Sequence, residues 1–487
     1  MENRLFGSGH GGSGLYDTGV YEGLLRGGSG STTPNGVQGP HSDDVEAGED
    51  NQRKRQFLRR LAIALVSYGS SSSRTEYLIS QVGERLNVKL DIGVFCTAIF
   101  LVFPGSGDPT RDETYMDRIE GETNVAKLQE VDEIANSVGL PGTPLPDASQ
   151  RLASVVKRAS PYGSWSTLFG YTITAPTAAL LFFDGGIWDA AFASLLGFVV
   201  GLVSLYSSAM TALESIEEFV SAIFVSFTAR LISEYFQHLG VCFSSIALSA
   251  LVWLLPGQAL TVGVSEVVDS SIITGASRIV RALVASLQLG FGLVVGEKLM
   301  FWGKTSVRDC NPVEVSGWWD ILWILAFSVG ANVLLKARPW QWPGMIIAAC
   351  AGLVMNNLTD GCGTEVAAVF ASFAIELTAF FYSKVSRDIP ATMTLAGIQV
   401  LLPGGLGVQG VEAFMEHDVL SGVDFVIAMI NISLSITLGL LVGKVFVSDK
   451  MFNRFMQSRK KFGSTLEEER WKQAKDSQAK EDEQITL

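Results

Sequence analysis

The chain has 487 residues, of which 48% are hydrophobic and only 17% charged, and its mean hydropathy is +0.30. A soluble protein of this size usually carries about 25% charged residues, so the composition argues against a wholly soluble globular protein. The net charge of −13 excludes a whole-protein basic surface of the kind that binds nucleic acid. Because the charges crowd into residues 42–158 and 444–487, we predict a polytopic α-helical membrane protein with soluble ends.

The polar N-terminal part divides into a tail and a small domain. Residues 1–52 are rich in glycine and serine and are expected to be disordered, whereas residues 53–160 predict a cytoplasmic α+β domain. Within it, Gln56–Leu86 has helical character, and Lys89–Phe103 is β-branched and aromatic, which favours a buried strand. That run is too short for a membrane helix, which needs about 20 residues. Glu113–Ile119 is expected to pair back onto it, and two amphipathic helices follow near Asn124–Val138 and Asp147–Ser160.

The apolar region beyond residue 160 predicts ten transmembrane helices in two groups of five. Residues 161–300 hold the first group, 301–316 form a connecting loop, 317–447 hold the second group, and 448–487 form a charged cytoplasmic tail. The bias of lysine and arginine places both termini in the cytoplasm. The ten spans are expected near 164–183, 186–207, 216–236, 240–262, 274–300, 317–336, 340–356, 363–385, 389–412 and 421–446.

The fourth and fifth spans of the two groups share a pattern of landmarks. "LLPGQALTVGVSEVVDSSIITG" (Leu254–Gly275) and "LLPGGLGVQGVEAFMEHDVLSG" (Leu401–Gly422) align at a constant offset in residue number, from 254 to 401, which we call the repeat separation. The landmark pairs are Pro256 and Pro403, Gly257 and Gly404, Gly263 and Gly410, Gly275 and Gly422, Gly292 and Gly439, and Gly296 and Gly443. Five spans is an odd number, so the second group must enter the membrane the opposite way up. We therefore predict two inverted repeats, the plan of many secondary transporters.

The second copy also spells a dinucleotide-binding turn, Gly405-x-Gly407-x-x-Gly410. The first copy lacks glycine at positions 258 and 260, and a membrane span supplies no βαβ unit for a nucleotide. The glycines therefore indicate a helix break, and no cofactor is predicted.

The two proline–glycine breaks are the leading candidates for a substrate site. Proline removes a backbone donor and glycine permits unusual dihedral angles. Freed polar groups are tolerated at membrane depth only where protein or a water-filled cavity satisfies them. The predicted substrate-binding residues at the breaks are Pro256, Gly257, Gln258, Pro403 and Gly404. The alternative is that each break is only a packing kink.

Several stretches resemble the threonine/serine exporter family, which includes bacterial amino-acid exporters and fungal pheromone-regulated membrane proteins. They include "RASPYGSW" (Arg158–Trp165), "GTEVAAVFASF" (Gly363–Phe373) and "IPATMTLAGIQVLLPG" (Ile389–Gly404), besides the first copy of the break. The resemblance spans about residues 56–447. It implies a cytoplasmic domain on a ten-span carrier that exports threonine, serine or another small hydrophilic solute, driven by the proton gradient.

Ionisable residues inside the spans are candidates for proton coupling or gating because such residues are costly at membrane depth. Arg230 and Glu234 lie at positions i and i+4 of one helix, close enough to pair. Glu376 occupies the place of Arg230 in the second repeat, one position short of the repeat separation, and is the candidate proton carrier. The acids expected near the two faces, as gates or as solvated loop residues, are Asp269, Glu416 and Asp424.

Four further polar residues have two interpretations each. Arg278 and Arg281 open the fifth span and either bind a substrate carboxylate or anchor the helix at the interface. Gln288 and Asn431 either bind substrate or hold helices together.

The five cysteines have no metal-ligand spacing, so no metal site is predicted. Cys310 and Cys362 fall in two loops on the predicted outer face, where a disulfide between them is possible. With four histidines, none of them mid-span, there is little material for an enzyme mechanism. The predicted partners are a small amino acid, protons and the lipid bilayer, with a homo-oligomer left open. The alternatives to a transporter are a channel and a membrane-anchored regulatory or scaffold protein that acts through its cytoplasmic domain.

Overall fold

The computed structural model of the protein describes residues 42–95, 97–104, 112–119, 121, 123–138, 144–208, 210, 213, 216–300, 320–386, 388–402 and 419–447. The described chain is mostly helical, with strands only in its N-terminal part. The N-terminal elements are helices α1 (Ser42–Ser67) and α2 (Ser72–Arg85), strands β1 (Asp91–Val94), β2 (Ala98–Phe103) and β3 (Glu113–Arg118), and helices α3 (Val125–Ser137) and α4 (Leu145–Lys157).

The three strands form one antiparallel sheet in the order β1-β2-β3. The Lys89–Phe103 run was predicted to be a single strand. In the structure it is instead a tight hairpin of β1 and β2, in which Val94 pairs with Ile99. The expected return strand is present, with Phe103 opposite Glu113. Helix α1 begins at Ser42, so it takes in the last part of the segment 1–52 that was expected to be disordered. The remainder of that segment lies outside the described part of the chain.

One apolar core lies between the helices and the sheet of this domain. It contains Leu61 and Leu65 of α1 with Ile99 and Leu101 of β2, all fully buried. Arg59 of α1 closes the edge by donating two hydrogen bonds, of 2.6 and 2.5 Å, to the carboxylate of Asp117 on β3. The domain therefore has a core of its own.

The C-terminal part is a bundle of helices. They are α5 (Ser164–Phe182), α6 (Ile187–Ser207), α7 (Glu217–Tyr235), α8 (Phe243–Ala250), α9 (Gly257–Val268), α10 (Ile272–Met300), α11 (Asp320–Leu334), α12 (Trp342–Thr359), α13 (Thr364–Ser386), α14 (Pro390–Ile398) and α15 (Val419–Val447). Among the described residues, four helical segments are long and apolar enough to cross a membrane: Ile187–Ser207, Ile272–Leu299, Thr364–Ser386 and Val426–Val447. Large apolar side chains are exposed on all four, as a lipid-facing surface requires.

The predicted fourth span is broken where the sequence places its proline. Helix α8 ends at Ala250, and α9 begins at Gly257 with Pro256 as its N-terminal cap residue. Proline has no N–H to continue the first helix. In the second half, α14 ends at Ile398, and the predicted break at Pro403 lies just beyond the described residues.

The two helical halves pack through matching positions. Each half has a cluster formed by its third, fourth and fifth predicted spans. The first cluster contains Ala222, Leu248, Leu251, Leu254, Leu289 and Leu293, and the second contains Ala368, Leu395, Ile398, Leu401, Ile436 and Leu440. Members of the second cluster follow their counterparts by the repeat separation, and only Ala368 falls one position short of it. The landmarks therefore predict which core positions correspond.

Close contacts fix the relative directions of the helices. Gly170 of α5 lies against Leu334 and Gly330 of α11, and farther along α5, Phe182 makes an edge-to-face ring contact with Phe327 at 5.2 Å. Residue numbers rise along one helix as they fall along the other, so α5 and α11 are antiparallel. On α7 and α10 the residue numbers rise together, because Gly292 lies against Phe219 and Gly296 lies against Ile223. These two helices are therefore parallel.

The glycine contacts differ between the halves by one helical turn. In the first half, Gly292 and Gly296 lie against the backbone of Phe219 and Ile223 on α7. In the second half, Gly439 lies against Val369 of α13, the counterpart of Ile223. Gly439 therefore occupies the place that Gly296 has in the first half, although its counterpart is Gly292. Helix α15 is shifted along α13 by about one turn relative to α10 on α7.

Candidate transport site and docked domain

The first predicted helix break and the end of α14 are neighbours in the structure. The amide Nε2 of Gln399, immediately after α14, donates a 2.9 Å hydrogen bond to Oε1 of Gln258, in the first turn of α9. Trp253 of the first break packs in the same apolar cluster as Leu401. The first break and the end of α14 thus form one site inside the bundle.

The break exposes backbone groups that a continuous helix would pair. Leu254 and Leu255 donate to the Leu251 carbonyl, and the Pro256 carbonyl accepts from Leu260 as α9 begins. Among the described residues, nothing donates a backbone hydrogen bond to the carbonyls of Trp253 and Leu254. These acceptors lie in the turn that precedes Gln258.

The predicted substrate-binding residues differ in how deeply they are buried. Pro256 and Gly257 are buried, whereas Gln258 and Gln288 are half-buried. Asn431 and Arg281 are exposed on the described surface of the bundle. Asp269 caps the end of α9 and Asp424 is exposed. Three predicted residues, Pro403, Gly404 and Glu416, lie outside the described residues.

Glu376 is buried at the centre of the second half, with 7% of its surface exposed. Its Oε2 accepts a 2.8 Å hydrogen bond from the Thr394 hydroxyl on α14, and Lys444 of α15 is near enough to act on its charge. Glu376 therefore connects the third, fourth and fifth predicted spans of its half.

Arg230, the counterpart of Glu376, forms an ion pair with Glu297 of α10 at 3.6 Å. Its guanidinium also lies 5.8 Å from the Phe243 ring centroid, while Glu234 is exposed. Glu297 and Lys444 are counterparts by the repeat separation, so both halves place opposite charges at matching positions with the signs exchanged. Neither Glu297 nor Lys444 is among the candidates predicted from the sequence. The repeat separation, applied to every charged residue of the spans, would have found both.

Arg278 belongs to a contact between the bundle and the N-terminal domain. Its Nε lies 2.8 Å from Oε2 of Glu266, a carboxylate on α9 that is 1% exposed. The other oxygen of Glu266 accepts from the backbone N–H of Ser72 at 3.2 Å and from its hydroxyl at 3.0 Å. Ser72 opens α2, so Glu266 supplies the acceptor that a helix N-terminus needs.

The same domain contacts the second half of the bundle. Gln129 of α3 donates a 3.0 Å hydrogen bond to Asp388, between α13 and α14, and is bonded to Gln341 at the start of α12. The N–H of Val125 donates to the carbonyl of Leu335 at 3.1 Å. One domain therefore bridges the helix connections of both halves.

Burial shifts the pKa of two ionisable groups, one in the N-terminal domain and one in the α11–α12 connection. Burial raises the pKa of Asp132 on α3, although its partner Arg74 acts in the opposite direction. Burial also lowers the pKa of Lys336, between α11 and α12, to about 8. Both shifts follow from withdrawing charge from water.

Replacing Glu266 by alanine is expected to loosen the docked domain. The change leaves the Arg278 guanidinium without its anion in a partly buried contact and α2 without its acceptor, and breaking a buried pair costs about 3 kcal/mol. Amide hydrogen exchange in the first turn of α2 should accelerate, and the melting temperature should fall by several degrees. Glu84→Ala, an exposed acid on α2, is the control. Equal exchange in both variants would contradict the contact.

In the structure Cys362 is an exposed free thiol, which does not agree with the predicted Cys310–Cys362 disulfide, and Cys310 lies outside the described residues. Cys242, before α8, is disulfide-bonded, and its N–H donates a 2.9 Å hydrogen bond to the buried carboxylate of Asp189. Spacing alone could not identify the bonded cysteine. Among the described residues, no group of histidine, cysteine or acidic side chains is placed to hold a metal.

The chain is similar to a known protein family and to several known proteins. The ThrE threonine/serine exporter model matches residues 56–300, and a second model, "Threonine/Serine exporter, ThrE", matches residues 318–446. Pheromone-regulated membrane protein 10 of Debaryomyces hansenii is 26% identical over 82% of this chain and 42% of its own length. The Candida glabrata protein of that name is 25% identical over 83% and 54%.

An uncharacterized protein of Schizosaccharomyces pombe is 27% identical over 74% of this chain and 49% of its own length. The chain thus spans about half the length of these curated relatives, and no solved structure matches it. The two family matches cover the N-terminal domain and both helical halves, and the apolar helices agree with membrane integration. The chain belongs to the threonine/serine exporter family of membrane proteins.

Proposed function

We propose that the protein is a secondary transporter that exports small hydrophilic amino acids such as threonine or serine. The observation that carries this proposal is the contact between the first break and the end of α14, where Nε2 of Gln399 lies 2.9 Å from Oε1 of Gln258. In many transporters, interrupted helices at matching positions present backbone groups to a solute near the membrane midplane. The open carbonyls in the turn that precedes Gln258 are suited to the ammonium and hydroxyl groups of such a solute.

The proposed topology is ten spans in two inverted repeats, with both termini in the cytoplasm. The antiparallel packing of α5 against its counterpart α11 supports inversion. The docked domain contacts the connections α9–α10, α11–α12 and α13–α14 through Ser271, Leu335 and Asp388. In the alternating arrangement, these three connections all lie on the inner face. The carboxylate of Asp189 accepts hydrogen bonds from the N–H of Gly186, in the α5–α6 connection, and from the N–H of Cys242, in the α7–α8 connection. In the proposed arrangement, both connections lie on the outer face.

Alternating access is the proposed mechanism. Its support is the one-turn difference between the halves. A carrier built from two equivalent halves reaches its opposite-facing state when the halves exchange conformations. Proton coupling is assigned to Glu376, because a buried acid on the boundary of three spans can titrate as those spans move.

Counterflow of labelled threonine and serine into proteoliposomes of the full chain tests the function. Saturable exchange that is accelerated by a pH gradient is the expected result. A steady, non-saturating current would favour a channel. Absence of movement for every small amino acid would remove the proposal and leave a regulatory role for the docked domain.

Accessibility of Cys362 tests the topology. This exposed thiol lies in the α12–α13 connection, which the proposal puts on the face opposite the N-terminal domain. In sealed vesicles, a membrane-impermeant maleimide that labels Cys362 should therefore leave a cysteine introduced by Glu84→Cys unlabelled until the membrane is permeabilised. Labelling of both from one side would contradict the ten-span arrangement.

A further inference from the structure

Two buried serine hydroxyls at matching positions form no hydrogen bond to any described group. Ser286 on α10 is 3% exposed and Ser433 on α15 is 0% exposed. The two are counterparts by the repeat separation, like the landmark pairs. Ser221, Ser245, Thr261 and Ser328 share this unpartnered state, but in the described chain none of those four forms such a pair.

The usual fate of a hydroxyl in a membrane helix is a bond to the carbonyl one turn earlier. Thr437 makes this bond at 2.9 Å, and Ser372 at 2.7 Å. Ser286 and Ser433 form no such bond. A buried polar group without a partner is costly, which indicates that a ligand satisfies these two.

Packing places each serine at the level of a helix break. On α10, Ser286 lies between Ala282, which packs with Leu260 at the start of α9, and Leu289, which packs with Leu251 after the end of α8. The break separates those two layers, and positions i, i+3 and i+4 share a helix face. Ser286 therefore faces the break of its own half.

The second half repeats this arrangement. Ser433 lies between Met429 and Ile436, and Ile436 packs with Ile398 at the end of α14. Met429 shares a cluster with Ala282, its counterpart in the first half, and with Leu260 of α9, and α10 and α15 both pack against α9. Each serine lies one turn beyond this shared cluster, on a helix that contacts α9.

We propose that Ser286 and Ser433 bind the transported solute directly and select a hydroxyl-bearing amino acid over its apolar analogue. This inference rests on the proposed transport function. A hydroxyl can both donate and accept, so the pair complements an alcohol side chain. A site built to bond a substrate hydroxyl discriminates against an analogue without it because its own polar groups then stay unpaired.

The test measures the preference for serine over alanine in proteoliposomes of the full chain. Ser286→Ala and Ser433→Ala should each reduce that preference about tenfold, the effect of one hydrogen bond, while transport of alanine persists. Ser372→Ala is the matched control, because its hydroxyl is buried but bonded within its own helix. It should keep the preference of the unmodified protein.

Stability separates ligand binding from a structural role. Removing an unpartnered hydroxyl should leave the melting temperature unchanged or higher. If the unmodified chain transports serine and both alanine variants keep its preference, the inference is overturned and the transport function stands. A lower melting temperature with equal loss of serine and alanine transport also overturns it. An unmodified chain that transports neither solute overturns both.

Discussion

Glu376→Gln is expected to abolish transport driven by a pH gradient while leaving exchange at equal pH largely intact. Glutamine keeps the shape of the side chain and can still accept from the Thr394 hydroxyl, which bonds Glu376 at 2.8 Å. It cannot gain or lose a proton. A carrier with a neutral amide at this position would therefore run as an exchanger, with gradient-driven accumulation reduced by at least about tenfold, since coupling requires a titrating group.

The position of Glu376 explains why this effect should be specific. The carboxylate lies on α13, its hydrogen-bond donor is on α14, and Lys444 is on α15. Gly443 also lies directly against the Glu376 side chain. Any displacement of α15 along α13 changes the distance between Lys444 and the carboxylate, and so changes the free energy of holding its charge. Proton binding and helix position are then linked.

Two controls make this result interpretable. Glu365→Gln changes an exposed acid in the first turn of the same helix and should retain the pH response. Thr394→Val removes the hydrogen-bond donor but keeps the acid, so the pH dependence should shift rather than vanish. An unchanged pH response in Glu376→Gln would assign coupling to another group.

Several matching core positions could be predicted from the sequence because the apolar residues that form them recur at one separation. Pro256 and Pro403 gave the alignment, and the same repeat separation then relates the core residues Leu289 and Ile436. A repeated core requires repeated apolar residues, so the pattern is visible without a structure. Boundaries were harder. The Lys89–Phe103 run is apolar throughout, so periodicity could not reveal the turn between β1 and β2.

The candidate site was less predictable because its contacts join distant parts of the chain. Gln258 and Gln399 belong to different halves and are not counterparts, so no repeat argument pairs them. Arg278 was considered as a substrate ligand or an anchor, but its ion pair with Glu266 depends on where the N-terminal domain docks. Nothing local in the sequence records that docking. Likewise, the unpartnered state of Ser433 depends on the rotamer and neighbours that folding provides.

Spin labels on the third and fifth spans are expected to exchange distances between the two halves during transport. One label pair replaces Tyr235 and Leu299, at the same ends of α7 and α10. The other replaces Phe381 and Phe446, their counterparts on α13 and α15. All four side chains are exposed. Because the halves differ by one turn, the axial offsets of the two pairs should differ by about 5 Å.

A pH gradient or saturating solute should shift the equilibrium between the facing states. The axial offset between the labels at 235 and 299 should then take the value first measured between the labels at 381 and 446. The offset between 381 and 446 should change to the value first measured between 235 and 299. Pulsed electron spin resonance measures both distances in a background where every cysteine that reacts with the label, Cys350 and Cys362 among them, is replaced by serine. Two labels on α7 alone, at Phe224 and Tyr235, provide a fixed reference. Distances that stay constant, or that change in the same direction in both halves, would contradict an exchange of registers.

The glycines make a one-turn slide feasible. Gly292 and Gly296 stand at positions i and i+4, as do Gly439 and Gly443, and this spacing is about one turn of helix. A slide of one turn therefore brings each glycine to the place its neighbour has left, as the position of Gly439 against Val369 illustrates. Close backbone approach survives at both ends of the movement, where a larger side chain would collide with the facing carbonyl. Packed helices with two such arrangements switch between them in discrete steps, which is what a carrier with two facing states requires.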